Sequence, residues 1–259
     1  MPVTFEITTR HHGHVGEIHF SAPPHNFASS GMLCALADAI DAMDEDMGVR
    51  CILLTAEGKV FCGGANLAGA DEVQGAEGMN EIALFYQNAA RIMKRRKPMI
   101  AVVQGAAIGA GLGLALAADF RIVSPLARFS ANFVKLGFHP GFAITHVLPR
   151  VVGEQKAAWM MLSGNRIKGD EALQWGLADR MAEPEDLLGE ALAMAEEIAC
   201  NAPLALVSIR STLTSDLAAE VVEAMEHEHA EQTALKGTSD YAEGVAAVFE
   251  RRPANFTGS

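Results

Sequence analysis

The pattern of apolar and polar residues changes twice near the N-terminus. Residues 3–9 and 15–20 alternate apolar and polar side chains around the turn R-H-H-G-H, which predicts a β-hairpin. Ser29 and Ser30 then suit a helix N-cap, and the apolar residues after them recur at helical spacing, which places four on one face: Leu33, Leu36, Ile40 and Met43. The nearly all-apolar run at 50–55 predicts a strand covered on both faces.

Two later segments share one pattern, a buried strand followed by a turn of small residues and then a helix. The first reads I-L-L-T-A-E-G-K-V-F-C-G-G-A-N-L at 52–67, and the second reads M-I-A-V-V-Q-G-A-A-I-G-A-G-L-G-L-A-L at 99–116. A helix is predicted between them at 79–95. Helix N-termini carry amides without intrahelical partners, so two facing turns would form an oxyanion hole. Tight packing at a helix start is the competing interpretation.

The rest of the chain is predicted to be largely helical after two short strands. The strand-like runs F-R-I-V and A-R-F-S follow Asp119, and six helices are then predicted at 154–162, 170–175, 185–199, 204–213, 217–235 and 241–249. Strands that alternate with helices predict parallel crossovers, and the strand-free C-terminal third predicts a helical extension. We expect a core over 1–202 and a helical region for packing or oligomerisation over 203–259.

Composition and charge narrow the function. The 259 residues carry a formal net charge of -12, which argues against broad nucleic-acid binding and against docking on anionic lipid. The four cysteines are widely spaced, so neither a disulfide framework nor a structural metal site is expected. The chain shows neither a leader pattern at its start nor a long uninterrupted apolar stretch, which predicts a soluble, cytoplasmic protein.

The second glycine-rich turn differs from a dinucleotide loop. Gly109, Gly111 and Gly113 are spaced G-x-G-x-G, whereas the dinucleotide fingerprint is G-x-G-x-x-G, and no acidic residue follows at the ribose position. No cofactor is therefore expected.

Several phrases closely resemble, in order and spacing, the enoyl-CoA hydratase/isomerase (crotonase) superfamily. They are S-A-P-P-H-N-F at 21–27, F-C-G-G-A-N-L at 61–67, K-P-M-I-A-V-V-Q-G-A-A-I-G-A-G-L-G-L-A-L-A-A-D at 97–119, A-R-F at 127–129 and L-G-F-H-P-G-F at 136–142. The resemblance implies an α/β fold, a crotonase-like ββα spiral core with a C-terminal helical trimerisation region. It also implies an acyl-CoA substrate, with CoA as part of that substrate, and a homotrimer or a dimer of trimers.

The resemblance also assigns roles to individual residues. The backbone N–H groups of Ala65 and Ala110 would bind the thioester oxygen, and Arg251 would reach the CoA of an adjoining subunit. Substrate contacts are expected from Pro24, His25, Gly63, Gly64, Asn66, Leu67, Tyr86, Gly109, Phe133, Gly141 and Arg251. Phe133, Phe138 and Phe142 would make the acyl pocket apolar, which favours a bulky or aromatic acyl group.

The acids that the family uses are missing from this sequence. Family hydratases carry glutamates at the positions of Gly113 and Phe133, and related isomerases carry a carboxylate near Gly141. Proton transfer would then need another group, for which the candidates are His139, Tyr86, Asn132, His146 and Glu81. His139 is the leading catalytic candidate because imidazole titrates near neutral pH, although a turn histidine often serves only as a hydrogen-bonding residue.

Three hypotheses stay open at this point. The first is an enzyme that acts on acyl-CoA without the usual carboxylates. The second is a catalytically silent acyl-CoA binder, and the third is a thioester or β-diketone hydrolase that uses a histidine. No metal site is expected, because His11, His12 and His14 fit a solvated turn and 226–229 fit a solvated or intersubunit helix face.

Overall fold

The computed structural model describes residues 4–65 and 81–259. The strands of this part are β1 (Glu6–His12), β2 (Val15–Ser21), β3 (Cys51–Ala56), β4 (Val60–Cys62), β5 (Met99–Val103), β6 (Ala106–Ile108), β7 (Phe120–Val123), β8 (Arg128–Ser130), β9 (Ile167–Lys168) and β10 (Arg180–Met181). The helices are α1 (Ser30–Glu45), α2 (Glu81–Lys94), α3 (Ala110–Ala117), α4 (Ile144–Val152), α5 (Glu154–Ser163), α6 (Gly169–Trp175), α7 (Leu187–Ala199), α8 (Pro203–Leu213), α9 (Leu217–Leu235) and α10 (Ser239–Glu250). A 3₁₀ helix spans Asn132–Leu136.

The strands form two sheets that the chain visits in turn. The larger sheet has the order β1-β2-β3-β5-β7-β10, and the smaller has the order β4-β6-β8-β9. Apart from the antiparallel pairs β1/β2 and β8/β9, all neighbouring strands are parallel. The chain therefore repeats one unit three times, with a strand in each sheet followed by a helix: β3-β4-α2, β5-β6-α3 and β7-β8-α4. This arrangement confirms the predicted ββα spiral.

Local sequence signals account for the main elements. The Ser29 hydroxyl accepts a hydrogen bond from the Met32 amide at 3.1 Å, so α1 begins with the predicted cap. Leu33, Leu36, Ile40 and Met43 are all buried, as the periodicity predicts. Strand β5 has the predicted bounds, and its five residues are buried in the core.

The structure corrects the prediction at several places. Residues predicted to be parts of the two glycine-rich turns pair as β4 and β6 of the smaller sheet. Helix α4 and the 3₁₀ helix lie where no such element was assigned, and β10 pairs with β7 inside the third that was expected to be strand-free. Strands of two or three residues carry too little alternation to be found by pattern. Residues 79 and 80, the predicted start of α2, lie outside the described residues.

The C-terminal helices pack on the core of the same chain. Helix α9 contacts α2 and α4, and α10 contacts the 3₁₀ helix. Helix α8 begins at Pro203, so the boundary placed between 202 and 203 stays a prediction that coincides with a helix start. No single helix among the described residues has the length and apolar composition to cross a membrane, although α7 and α8, bent by 100°, satisfy those two criteria as a pair.

Candidate active site

The two glycine-rich turns meet where β4 and β6, neighbouring parallel strands of the smaller sheet, end. A Cβ atom built on Gly64 would lie 3.1 Å from the carbonyl oxygen of Ile108, and one built on Gly111 would overlap the carbonyl oxygen of Cys62. Gly64 also has φ +108°, a conformation that L side chains rarely adopt. Both glycines are therefore required for the backbones of the two turns to approach each other this closely.

This approach brings together the backbone segments that carry the Ala65 and Ala110 amides. Ala110 is the first residue of α3, so its N–H lacks an intrahelical acceptor. Ala65 forms a parallel bridge with Ala28, in which the Ala28 amide donates to the Gly64 carbonyl at 2.8 Å. Among residues 4–65 and 81–259, no backbone carbonyl accepts a hydrogen bond from either amide. Within the described residues, both amides are therefore left without a backbone acceptor.

A buried asparagine fixes the loop that flanks the first turn. The Asn26 side-chain oxygen accepts from the Ala22 amide at 2.8 Å, and its Nδ2 donates to the Glu57 and Val60 carbonyls. The Gly63 amide then donates to the His25 carbonyl at 2.9 Å. This places Pro24 and His25, both exposed, next to Gly63 at the edge of the site. Asn26 is a structural residue that the sequence analysis did not single out.

The helix after the second turn is covered by an aromatic ring. A Cβ atom built on Gly113 would lie 2.5 Å from both Cβ and Cγ of Phe142, so Phe142 fills the space that a side chain at position 113 needs. The Phe142 ring also packs edge-to-face against Phe85 of α2, with 6.0 Å between ring centroids. Helices α2 and α3 are thus bridged by apolar contacts at the point where the resemblance expects a glutamate.

Two polar side chains fill the space beside Gly141. A Cβ atom built there would overlap the Tyr86 hydroxyl and would lie 2.7 Å from Nε2 of Gln232. The Tyr86 hydroxyl donates to Oε1 of Gln232 at 2.9 Å. Burial, with a smaller contribution from the charge of Glu228, raises the pKa of Tyr86 well above its usual value. Tyr86 is therefore a poor acid. Its hydroxyl lies beside Gly141 and is held there by the hydrogen bond to Gln232.

Phe133 and Phe138 occupy different surroundings. The Phe133 ring lies 3.6 Å from a Cβ atom built on Gly109, so it sits at the entrance of α3 beside the second turn. Phe138 instead packs against Tyr241 of α10, with 4.9 Å between ring centroids. Two of the three phenylalanines predicted for the acyl pocket, Phe133 and Phe142, therefore flank α3, whereas Phe138 joins the C-terminal helices to the core.

Comparison with known proteins agrees with this geometry. The enoyl-CoA hydratase/isomerase family model matches residues 10–259. The chain belongs to the enoyl-CoA hydratase/isomerase family. It is 33% identical to a crotonyl-CoA hydratase of Syntrophomonas wolfei over 89% of both chains, and 32% identical to a 1,2-epoxyphenylacetyl-CoA isomerase of Escherichia coli over 90% of both. A crystal structure of an enoyl-CoA hydratase/isomerase from Pseudoalteromonas atlantica matches with a TM-score of 0.86 and 30% identity, covering 97% of this chain and 99% of that one.

His139 lies two residues before Gly141, on the segment that packs against Tyr86 and Gln232. Its Nδ1 is 2.8 Å from the Pro140 carbonyl oxygen. Because a carbonyl oxygen only accepts, Nδ1 donates in this contact, and Nε2 is the ring nitrogen left for another partner. The half-buried ring packs edge-to-face against the exposed His227 of α9, with 6.1 Å between centroids.

Glu228 lies in a different environment from the one predicted. We expected 226–229 to form a solvated or intersubunit face, but Glu228 is fully buried. Its carboxylate accepts hydrogen bonds from the Ala143 amide at 2.7 Å, the Thr145 amide at 3.0 Å and the Thr145 hydroxyl at 2.6 Å. Burial raises the pKa of this carboxyl group, although the three donors oppose the rise. A signal was present, since one α9 face carries Val221, Met225, Glu228 and Gln232 at spacings of four and three.

The remaining predicted site residues have simpler outcomes. Asn66 and Leu67 lie outside the described residues. Arg251 is exposed at the C-cap of α10, and its contact with CoA of another subunit stays a prediction.

The described residues show no cluster of metal ligands, and the cysteine next to the first turn is not activated. No group of three or more His, Cys, Asp or Glu side chains there is arranged to hold a metal ion. Cys62 borders the first turn, but burial raises the pKa of its thiol to about 11. It is therefore a protonated packing residue and not a nucleophile.

Proposed function

We propose that this protein processes acyl-CoA thioesters by binding the thioester oxygen with the amides of Ala65 and Ala110. The observation that carries the proposal is the contact between the two turns at Gly64 and Ile108, which requires glycine. Amides fixed in this way need little reorganisation as negative charge grows on the oxygen, and each such donor typically contributes about 2.7–4 kcal/mol to transition-state stabilisation. Membership of the family supports an acyl-CoA substrate.

The reaction proceeds without carboxylates at 113, 133 and 141. Phe142 fills the space at Gly113, and Tyr86 with Gln232 fills the space at Gly141, so the neighbouring side chains are adapted to glycine at both positions. His139 is the proposed proton-transfer group, because its Nδ1 contact with Pro140 leaves Nε2 available as a base.

The acyl group is bulky or aromatic. Phe133 and Phe142 border α3, Phe85 packs on Phe142, and aromatic side chains provide large apolar contact areas. One relative is named for 1,2-epoxyphenylacetyl-CoA, which supports an aromatic acyl group by analogy.

The assembly is a homotrimer or a dimer of trimers. Large apolar side chains are exposed on two helices, Leu204, Ile209 and Leu213 on α8 and Trp159 and Leu162 on α5. Such surfaces favour burial in a subunit interface. Light scattering coupled to size exclusion tests this proposal, which predicts three or six chains, and a monomer at micromolar concentration would contradict it.

Turnover of defined thioesters tests the function. Purified protein is incubated with crotonyl-CoA, cinnamoyl-CoA and an aromatic β-oxoacyl-CoA, and products are followed by mass spectrometry with a thiol reagent present to detect free CoA. The proposal predicts at least one product that retains CoA. Binding without any product would favour a catalytically silent acyl-CoA binder, and release of free CoA would favour a histidine-dependent hydrolase.

A further inference from the structure

Helix α9 carries two buried polar side chains one helical turn apart. Glu228 is 0% exposed and Gln232 is 9% exposed, whereas Glu223 and Glu226 on the same helix are exposed. Both point at one short segment, 139–145, which also forms the wall of the candidate site. Buried polar groups are retained only where partners satisfy them, so the contacts of this pair are informative.

Glu228 holds a backbone turn in an uncommon conformation. Phe142 and Ala143 both have left-handed φ angles, +65° and +54°, which non-glycine residues rarely adopt. The carboxylate of Glu228 accepts from the amides on either side of Ile144, at Ala143 and Thr145. These two hydrogen bonds hold the Ala143 and Thr145 amides in place and so offset the unfavourable backbone conformation.

Gln232 connects the same segment to α2. Its Nε2 donates to the His139 carbonyl at 2.9 Å, and its Oε1 accepts from the Tyr86 hydroxyl at 2.9 Å. Gly141 lies between these contacts, where a Cβ atom would overlap the Tyr86 hydroxyl. The amide of Gln232 therefore fixes how far α2 stands from the 139–145 segment.

These contacts meet at Phe142. Its ring covers Gly113 of α3 and packs on Phe85 of α2, while the next residue, Ala143, donates its amide to Glu228. Movement of the turn would displace the ring from α3, and movement of α2 would separate it from Phe85. The separation of α2 and α3 at the acyl site therefore depends on both α9 side chains.

We infer that Glu228 and Gln232 form a polar clamp that sets the width of the acyl pocket and thereby selects the acyl group by size. The inference deepens the proposed function and rests on it. Neither residue is placed in contact with substrate. Both are positioning residues that act through Phe142 and Tyr86.

Two conservative variants test the clamp. Glu228→Gln keeps the shape of the side chain but replaces one acceptor oxygen with a donor, and Gln232→Met keeps the approximate length but removes both hydrogen bonds. Glu226→Gln is the matched control, because Glu226 is exposed on the same helix. Affinities for acetyl-CoA, crotonyl-CoA and phenylacetyl-CoA are measured by calorimetry, with free CoA as the reference.

The clamp predicts a loss of discrimination in both variants. The preference for phenylacetyl-CoA over acetyl-CoA falls at least fivefold, whereas the affinity for free CoA changes less than twofold and Glu226→Gln matches the wild type. A purely structural role would lower the melting temperature and leave the preference intact. An unchanged preference in both variants would overturn the clamp.

A measurement that needs no bound thioester tests the clamp independently of the proposed function. Amide hydrogen exchange at Ala143 and Thr145 is expected to accelerate at least tenfold in Glu228→Gln, whether or not any thioester binds. Exchange that stays at the wild-type rate would overturn the clamp. If exchange accelerates but the protein binds no thioester, Glu228 still holds the 143–145 turn as inferred. That result would refute the proposed function and the size selection that depends on it.

Discussion

The Phe142 ring occupies the space that a side chain at Gly113 would need, since a Cβ atom built on Gly113 would lie 2.5 Å from Cβ and Cγ of Phe142. The two positions therefore depend on each other. Glycine at 113 is the residue that lets the ring cover α3, and the left-handed turn at Phe142 and Ala143 delivers the ring to that place.

This dependence is measurable in a double-mutant cycle. Gly113→Ala should destabilise by about 1–3 kcal/mol through overpacking, although alanine in an open helix gains about 0.5–1 kcal/mol over glycine. Phe142→Gly removes both the ring and the Cβ atom that a side chain at position 113 would overlap, at its own cost, so the double variant should lose less than the sum of the two single losses. Gly189→Ala in α7 is the control, because nothing lies within 4 Å of its Cβ position. Additive free energies of unfolding from urea titrations would contradict the dependence.

The close approach of the two turns predicts a specific effect at Gly64. Gly64→Ala should lower the free energy of unfolding by about 1–2 kcal/mol, because alanine is strained in this left-handed backbone conformation. It should also push the first turn away from Ile108. Gly58→Ala is the comparison, since Gly58 has φ +75° with open space around its Cβ position. Acyl-CoA affinity, measured by calorimetry, should fall at least tenfold only for Gly64→Ala. Equal affinities in both variants would count against the oxyanion hole.

Asp119 predicts a pH dependence of stability. Burial alone would raise its pKa, but the guanidinium groups of Arg95 and Arg210 hold it below its usual value. A carboxylate with a lowered folded-state pKa contributes stability that is present above its unfolded pKa, about 3.9, and is lost as pH falls through the folded pKa. Asp119→Asn should therefore cost about 3–5 kcal/mol at pH 7, because it leaves two guanidinium groups without their carboxylate.

The difference between wild type and Asp119→Asn should begin to shrink below about pH 4, where the carboxyl of the unfolded wild type takes up its proton, and should be lost once the pH falls through the lowered folded-state pKa. Urea titrations across the acid range measure it. A difference that stays constant down to pH 2 would show that the loss arises from packing and not from charge.

The proposed role of His139 predicts that its loss and the loss of the ring packed against it have different effects on turnover. His139→Ala should reduce turnover at least tenfold, because it removes the proposed base. His227→Ala removes the ring that packs on His139 but leaves Nε2 of His139 in place, so turnover should change less than twofold. Steady-state kinetics on the best thioester measures both. Wild-type turnover in His139→Ala would remove this residue from the mechanism.

Much of the architecture was predictable from periodicity and caps. The α1 face, the β5 strand and the order of strand, turn and helix follow from local patterns that tertiary packing reinforces. The smaller sheet was not predictable in this way. Strands β4 and β6 have three residues each, and their pairing depends on contacts between distant parts of the chain.

The backbone turns of the candidate site could be predicted from the sequence, but the side chains that pack around them could not. The glycine spacing indicated the two turns, because glycine is needed where backbones approach. The pairing of Glu228 with the 143–145 turn was hidden, since its sequence neighbours are charged and only the spacing from Val221 and Met225 places it on the buried face. The positions of Tyr86 and Gln232 beside Gly141 likewise required the fold.

The carbonyl stretch of a bound thioester tests the central claim most directly. An acyl-CoA labelled with ¹³C at the thioester carbonyl is bound to the protein, and the isotope-edited infrared spectrum is compared with that of the free compound. Two amide donors from Ala65 and Ala110 should polarise the carbonyl and shift the band to lower wavenumber. A band at the wavenumber of the free thioester in water, in a complex shown to be saturated, would contradict the account.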